Sequence, residues 1–337
     1  MNIFELTRAL IDIESITNHE KDAGLYLLDR LAELAARTGG RVERMEVEPE
    51  RFNVFACWGE PLVTLSTHMD TVPPFIPSRE DDEHIWGRGA CDTKGIIAAM
   101  MAAAEGLLEE GRRDFGLLFV VGEERNSAGA FAAARQPRGS RYLINGEPTG
   151  NKLALGSKGA LRLEAEARGR MAHSAYPELG ESAIDKLLDF LAVLRRIPLP
   201  EDPLLGCGTL NIGTISGGRA PNVVPDEARA EIMIRLVADA GPLREAVARA
   251  AAGRVDLREV LCVPAVQLGS LDDMETTVVS FTTDIPAFGG AWGQPFLIGP
   301  GSIHVAHTLE ERVPKRELVE AVSIYRTMVK RLLDAQG

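Results

Sequence analysis

Residues 115–121, Phe-Gly-Leu-Leu-Phe-Val-Val, are apolar without a break. A short run with no polar alternation reads as a strand covered on both faces, as in a parallel sheet flanked by helices. That inference constrains the rest, because such a sheet needs crossover helices. Residues 2–13 and 20–36 have helical periodicity, with Leu27, Leu28, Leu31 and Leu34 on one stripe, and Lys94 to Glu110 is nearly free of helix breakers. Residues 53–58, 62–67 and 141–145 read as further strands. Strands alternating with helices make an α/β sheet wrapped on both faces.

The texture changes after Gly156. Residues 160–168 alternate apolar and polar with period two, the mark of a sheet with one wet face. Residues 209–215 and 228–236 alternate again, while 181–195 and 241–251 are helical. This block reads as a small α+β domain inserted into the larger one. The chain returns to the first domain after about Pro264 and ends in a helix over 314–335. A length of 337 residues suits two such domains.

A formal net charge of -12 repels nucleic acid and anionic membrane, so neither is an expected partner. An anionic substrate would then need locally placed cations. No basic segment leads into an apolar run at the N-terminus, and no apolar stretch is long enough to span a membrane. Cys57, Cys91, Cys207 and Cys262 lack the paired spacing of a thiolate zinc site or a disulfide scaffold. The expected setting is therefore the reducing cytoplasm.

Five separated segments carry histidines or carboxylates at strand ends or in loops. His68 and Asp70 lie two apart at the end of an apparent strand, so both side chains point the same way. That suits a metal-bound imidazole oriented by a carboxylate, although His-x-Asp alone fits a surface role equally well. Asp92 sits in a glycine-rich turn before the long helix and alone could be an N-cap. Glu123 and Glu124 follow the buried 115–121 run, where open α/β sheets keep their sites; a solvated loop is the plainer reading. Glu147, in Gly-Glu-Pro-Thr, again follows an apolar strand. His304 and His307 lie in the 299–308 loop. Imidazole and carboxylate ligands without cysteine suit catalytic zinc or a related divalent ion.

In order and spacing, these segments resemble the M20 family of metallopeptidases and deacylases, which includes acetylornithine deacetylase, succinyl-diaminopimelate desuccinylase and glutamate carboxypeptidase. The resemblance extends into the inserted block through residues 169–175 and 217–225. It implies a zinc-peptidase-like fold: a two-domain, mixed, mostly parallel α/β sheet with helices on both faces. A catalytic domain would comprise 1–156 and 265–337, and an α+β lid and dimerisation domain 157–264. It implies two divalent metal ions, zinc or cobalt. His68 and Glu147 would hold one, Glu124 and His307 the other, and Asp92 would bridge them. His307 is preferred over His304 because it stands in the family's Ala-His-Thr context. Asp70 would orient His68. Glu123 would be the general base that takes a proton from water and hands it to the leaving amine. His173 would stabilise the oxyanion, acting on the partner subunit's site in a homodimer. Asn222 and Arg235 would contact substrate, Arg235 through an α-carboxylate. Cys91 is read as packing, and the bond after Asp92 is expected to be cis.

Glu147, rather than an aspartate, resembles the deacylase and carboxypeptidase members more than the aminopeptidases. The Gly-Pro-Gly-Ser-Ile run before Ala-His-Thr is most like acetylornithine deacetylase. The expected activity is deacylation of a small N-acyl amino acid, with a dipeptidase or carboxypeptidase as the alternative within the family. A non-catalytic ligand-binding homologue is the alternative outside it; the presence of all five ligands and Glu123 argues against that.

Overall fold

The Lys21–Thr38 helix follows from its stripe. Leu27, Leu31 and Leu34 are buried, Leu28 is partly so, and Gly39 ends the helix in the left-handed region at φ 76°. Gly95–Glu109 is buried almost all round, including Ile96, Ile97, Met100 and Leu107. Each such side chain contributes roughly 1.5–3 kcal/mol on leaving water, far more than its helix propensity decides.

The computed structural model describes residues 2–335; residue 1 and residues 336–337, the ends of the expected catalytic domain, lie outside the described residues. The chain divides into two units. The first takes residues up to 155, 268–277 and those from 283 on; the second takes 156–267 and 278–282. The return of 278–282 to the second unit has no counterpart in the sequence reading, which placed those residues in the catalytic domain. There the Lys158 N–H donates to the Val279 carbonyl (3.1 Å) and the Ser157 hydroxyl to the Phe281 carbonyl (2.5 Å).

The first unit is built on a mixed sheet with a parallel centre. Its strands run in the order Arg41–Glu48, Arg51–Trp58, Phe115–Val120, Val63–His68, Tyr142–Asn145 and Gln294–Leu297. The Phe115–Val120 strand is buried throughout. It is parallel to Val63–His68 but antiparallel to Arg51–Trp58, so only one of its neighbours has the expected direction. Val63–His68 is also parallel to Tyr142–Asn145, which puts the C-terminal ends of three adjacent strands at one edge. His68, Glu123–Glu124 and Glu147 all leave the sheet there.

The second unit is a four-stranded antiparallel sheet, ordered Thr209–Gly217, Glu227–Leu236, Gly159–Arg168 and Asp256–Val263. Leu161 pairs with Ile234 and Leu163 with Ile232, so the apolar positions of both strands share one face. The helices Ala183–Leu194 and Gly241–Ala251 supply Leu187, Phe190 and Val247 to the same core. The period-two pattern is thus a sheet with one covered face, as its sequence required. Among the described residues, no helix is long and apolar enough to cross a membrane.

Candidate metal centre

Two turns aim the candidate ligands. After Val120 the chain bends through Gly122 at φ 81°, a conformation that favours glycine, and an added Cβ would also crowd Arg51 Nη2 at 2.9 Å. Asn53 fixes the start of that turn, accepting from the Val121 N–H (3.2 Å) and donating to the Gly129 carbonyl (2.8 Å). Gly146, just before Glu147, is pressed against the long helix; a Cβ there would meet Ile96 at 2.4 Å.

Asp70 ties two of the segments together. It is fully buried, and its carboxylate accepts from the Glu123 N–H (3.1 Å), the Glu124 N–H (3.2 Å) and the Thr17 hydroxyl (2.8 Å). His68 Nδ1 lies 3.0 Å from the Asp70 carbonyl and 3.5 Å from its carboxylate. The nearer orienting group is therefore the main chain, and the carboxylate works chiefly on the Glu123–Glu124 turn.

His68, Asp92 and Glu124 each place a ligand atom within 4.8 Å of the others. His68 Nε2 is 3.0 Å from Asp92 Oδ1. His307 Nε2 is 3.2 Å from Asp92 Oδ2 and 3.0 Å from Glu124 Oε1. The two oxygens of Asp92 thus face two different imidazoles, the arrangement a carboxylate bridge requires. His307 adopts φ 63°, a left-handed conformation unusual for a residue with a side chain and a mark of local constraint. His304 is exposed, and no contact of its side chain with the cluster is found among the described residues.

Burial pushes Glu147 well above the usual carboxylate range, reinforced by Asp92, Asp284 and Glu124 and opposed by His68. Its Oε1 is buried without a hydrogen-bond partner. Glu123 is likewise raised well above its ordinary value by burial, with Glu147, Asp284 and Glu124 adding and His68 opposing. Asp92 goes the other way: burial would raise it, but His307 and His68 together hold it low. Burial also opposes charge on His68, yet Asp70 and Asp92 raise it well above the usual imidazole range; Asp92 and Glu124 raise His307 to about 10. Enclosed anions outnumber cations, and one ligand-type oxygen has nothing to bind. Such a set fits divalent cations, because buried carboxylates are otherwise costly. With oxygen and imidazole donors and no thiolate, it fits zinc or a neighbouring divalent ion.

Asp284 belongs to this neighbourhood and was not legible in the sequence. It is 1% exposed, neither carboxylate oxygen has a hydrogen bond, and burial raises it to about 7. Its only signal is a Thr-Asp pair at the start of a short helix. Cys91 is buried, with its thiol 3.7 Å from the Ser302 carbonyl and 3.8 Å from Glu311, and burial holds it protonated. The four cysteines are free, and the Asp92–Thr93 bond is cis.

The remaining candidates lie in the second unit. His173 is exposed and pairs through its backbone with Val223, while the Ser174 N–H donates to the Asn222 carbonyl (3.0 Å). His173 and Asn222 therefore sit together, and His173 is not a core residue of that unit. Arg235 is half-buried at the opposite end of the strand: Glu227 pairs with Arg168, whereas Arg235 pairs with Ala160. At about 3.3 Å per residue the two ends are roughly 26 Å apart.

The sequence signature of peptidase family M20/M25/M40 spans residues 64–331. The chain belongs to that family. It is accordingly a hydrolase acting on amide bonds. A probable carboxypeptidase of Aspergillus terreus is 37% identical, over 96% of this chain and 84% of its own length. The crystal structure of an aminopeptidase from Bacillus cereus superposes with a TM-score of 0.79 at 20% identity, covering 98% of both chains. A dinuclear metal-binding peptidase of the M20 family from Bacillus subtilis superposes with a TM-score of 0.69 at 15% identity, covering 98% of this chain and 97% of that one. At these identities the structural likeness establishes the M20 fold.

Proposed function

We propose that this M20 hydrolase is a two-metal carboxypeptidase that removes the C-terminal residue of short peptides. The observation that carries the substrate class is Arg235. Its guanidinium is half-buried with no ionic partner among the described residues, and desolvation is the one influence shifting it, downward. A half-buried cation without an anion is suited to accept one from outside, and a substrate α-carboxylate is the chemical match. The probable carboxypeptidases among its relatives support the same reading.

In this proposal His68 and Glu147 would hold one ion, Glu124 and His307 the other, and Asp92 would be shared between them. Two divalent ions, when bound, supply Lewis acidity that polarises the scissile carbonyl and acidifies water. Glu123, whose backbone is pinned by Asp70, accepts the water's proton and delivers it to the leaving amine. Glu124, its neighbour, would be the metal ligand of the two. His173 opposes the developing charge on the carbonyl oxygen. One short substrate cannot span the roughly 26 Å strand that separates His173 and Asn222 from Arg235. This supports a homodimer in which each site takes Arg235 from one chain and His173 with Asn222 from the other.

An N-acyl amino acid presents the same amide and carboxylate, and the Gly299–Ser302 run favours that second reading. The test is turnover of zinc- and cobalt-loaded protein on free dipeptides and tripeptides, their C-terminal amides, and N-acetyl amino acids. The proposal expects release of the C-terminal residue from free peptides and none from amides. Hydrolysis of N-acetyl substrates alone would establish the deacylase, and equal turnover of amides would overturn both.

A further inference from the structure

Arg88 and Glu311 form a sealed ion pair that the mechanism above leaves without a role. Arg88 Nη1 stands 2.5 Å from Glu311 Oε2, with side-chain exposures of 2% and 1%. A buried pair of this kind is a weak source of net stability, because desolvating both charges offsets most of their attraction. Its remaining bonds show what it orients. Glu311 Oε1 accepts from the backbone N–H of Asp92 (3.3 Å) and from the Cys91 thiol (3.8 Å). Arg88 donates to the carbonyls of Thr308 and Pro74, each at 3.3 Å. The pair therefore joins the glycine-rich turn of Asp92 to the loop of His307, with a further tie to the segment after Asp70.

We propose that Arg88 and Glu311 are positioning residues that preassemble the metal position shared by Asp92 and His307. The proposal rests on the reading of those two residues as ligands. Glu311 fixes the backbone from which Asp92 projects. Arg88, through Thr308, fixes the residue next to His307. The ion of His68 and Glu147 would feel the pair only through Asp92, whereas the ion of Glu124 and His307 would feel it through both Asp92 and the His307 loop. The pair touches no reacting atom; it acts by holding ligands in place before an ion arrives.

The test replaces both partners with apolar residues of similar reach, Arg88→Met with Glu311→Leu, in the full chain. Removing both charges together leaves no unpaired ion in the interior. Zinc is titrated into metal-free protein by calorimetry, with melting temperature and the visible spectrum of the cobalt form recorded alongside. Loss of an orienting partner weakens a metal site about 10–100-fold. The expected result is that loss in one of the two binding steps, a smaller loss in the other, and an altered cobalt spectrum. Wild-type affinity in both steps would overturn the proposal. Where the double variant does not fold, Arg88→Lys carries the same comparison; it keeps a cation beside Glu311 but loses the fork that also reaches Thr308 and Pro74, and wild-type binding by it in both steps would equally overturn the proposal. His307→Ala identifies the affected step by abolishing it. If His307→Ala still binds both ions, the ligand reading fails rather than the positioning role.

Discussion

The two units treat their functional polar groups in opposite ways. In the first, Asp70, Asp92, Glu147 and His68 are buried and interlocked through main-chain and side-chain bonds. In the second, His173 and Asn222 are exposed, and Arg235 is half-buried without an ionic partner. A buried constellation costs stability but fixes geometry, as bond making at a metal centre demands. Exposed groups can be brought to a substrate and withdrawn. In the proposed reading, the metal ligands and the base belong to the first unit, and the groups that meet substrate to the second.

The largest effect expected in the second unit is at His173. His173→Ala should lower kcat about 10²–10³-fold, the usual loss for one oxyanion donor, while leaving the melting temperature unchanged because the side chain is exposed. Mixing His173→Ala with Glu123→Ala chains, each inactive alone, should restore about a quarter of wild-type activity, since half of randomly paired two-fold dimers carry one intact site. No recovery after confirmed re-pairing would place His173 in its own chain's site.

Asp70→Asn probes the interlocking in the first unit. It keeps the size but weakens the acceptor for the Glu123 and Glu124 N–H groups, and metal affinity measured by chelator competition should fall about 10–100-fold. An unchanged affinity would show that the Asp70 carbonyl alone suffices. Of similar size is the effect of Arg235→Met. A charge-assisted contact is worth about 1.5–3 kcal/mol, so kcat/KM on free peptides should fall at least about tenfold. Turnover of amides, already negligible, should not change, and an equal loss on both substrate types would remove Arg235 from carboxylate recognition. At the bottom of the scale, Arg244→Ala breaks an exposed pair with Glu259 and should leave both melting temperature and kcat/KM unchanged.

Much of the first unit's layout was legible because its signals are local. Leu27, Leu31 and Leu34 announce a helix by spacing, and Phe115–Val120 announces a buried strand by having no polar residue. His68, Asp92 and His307 stand in short motifs that order alone could align. The Arg41–Glu48 and Asp256–Val263 strands gave no such signal, because both are edge strands with few buried positions. The Arg88–Glu311 pair is invisible for another reason: its members are 223 residues apart, and burial alone makes them partners. Asp284 and the return of 278–282 to the second unit share that long-range origin.

The central claim is a division of labour between adjacent glutamates, Glu124 holding metal and Glu123 moving the proton. Metal content of purified Glu123→Ala and Glu124→Ala proteins, measured beside kcat, tests it directly. The account predicts two ions per chain and a kcat loss of about 10²–10⁴-fold for Glu123→Ala, and the loss of one ion for Glu124→Ala. Glu123→Ala protein that loses an ion, or that keeps near-normal turnover, would contradict it.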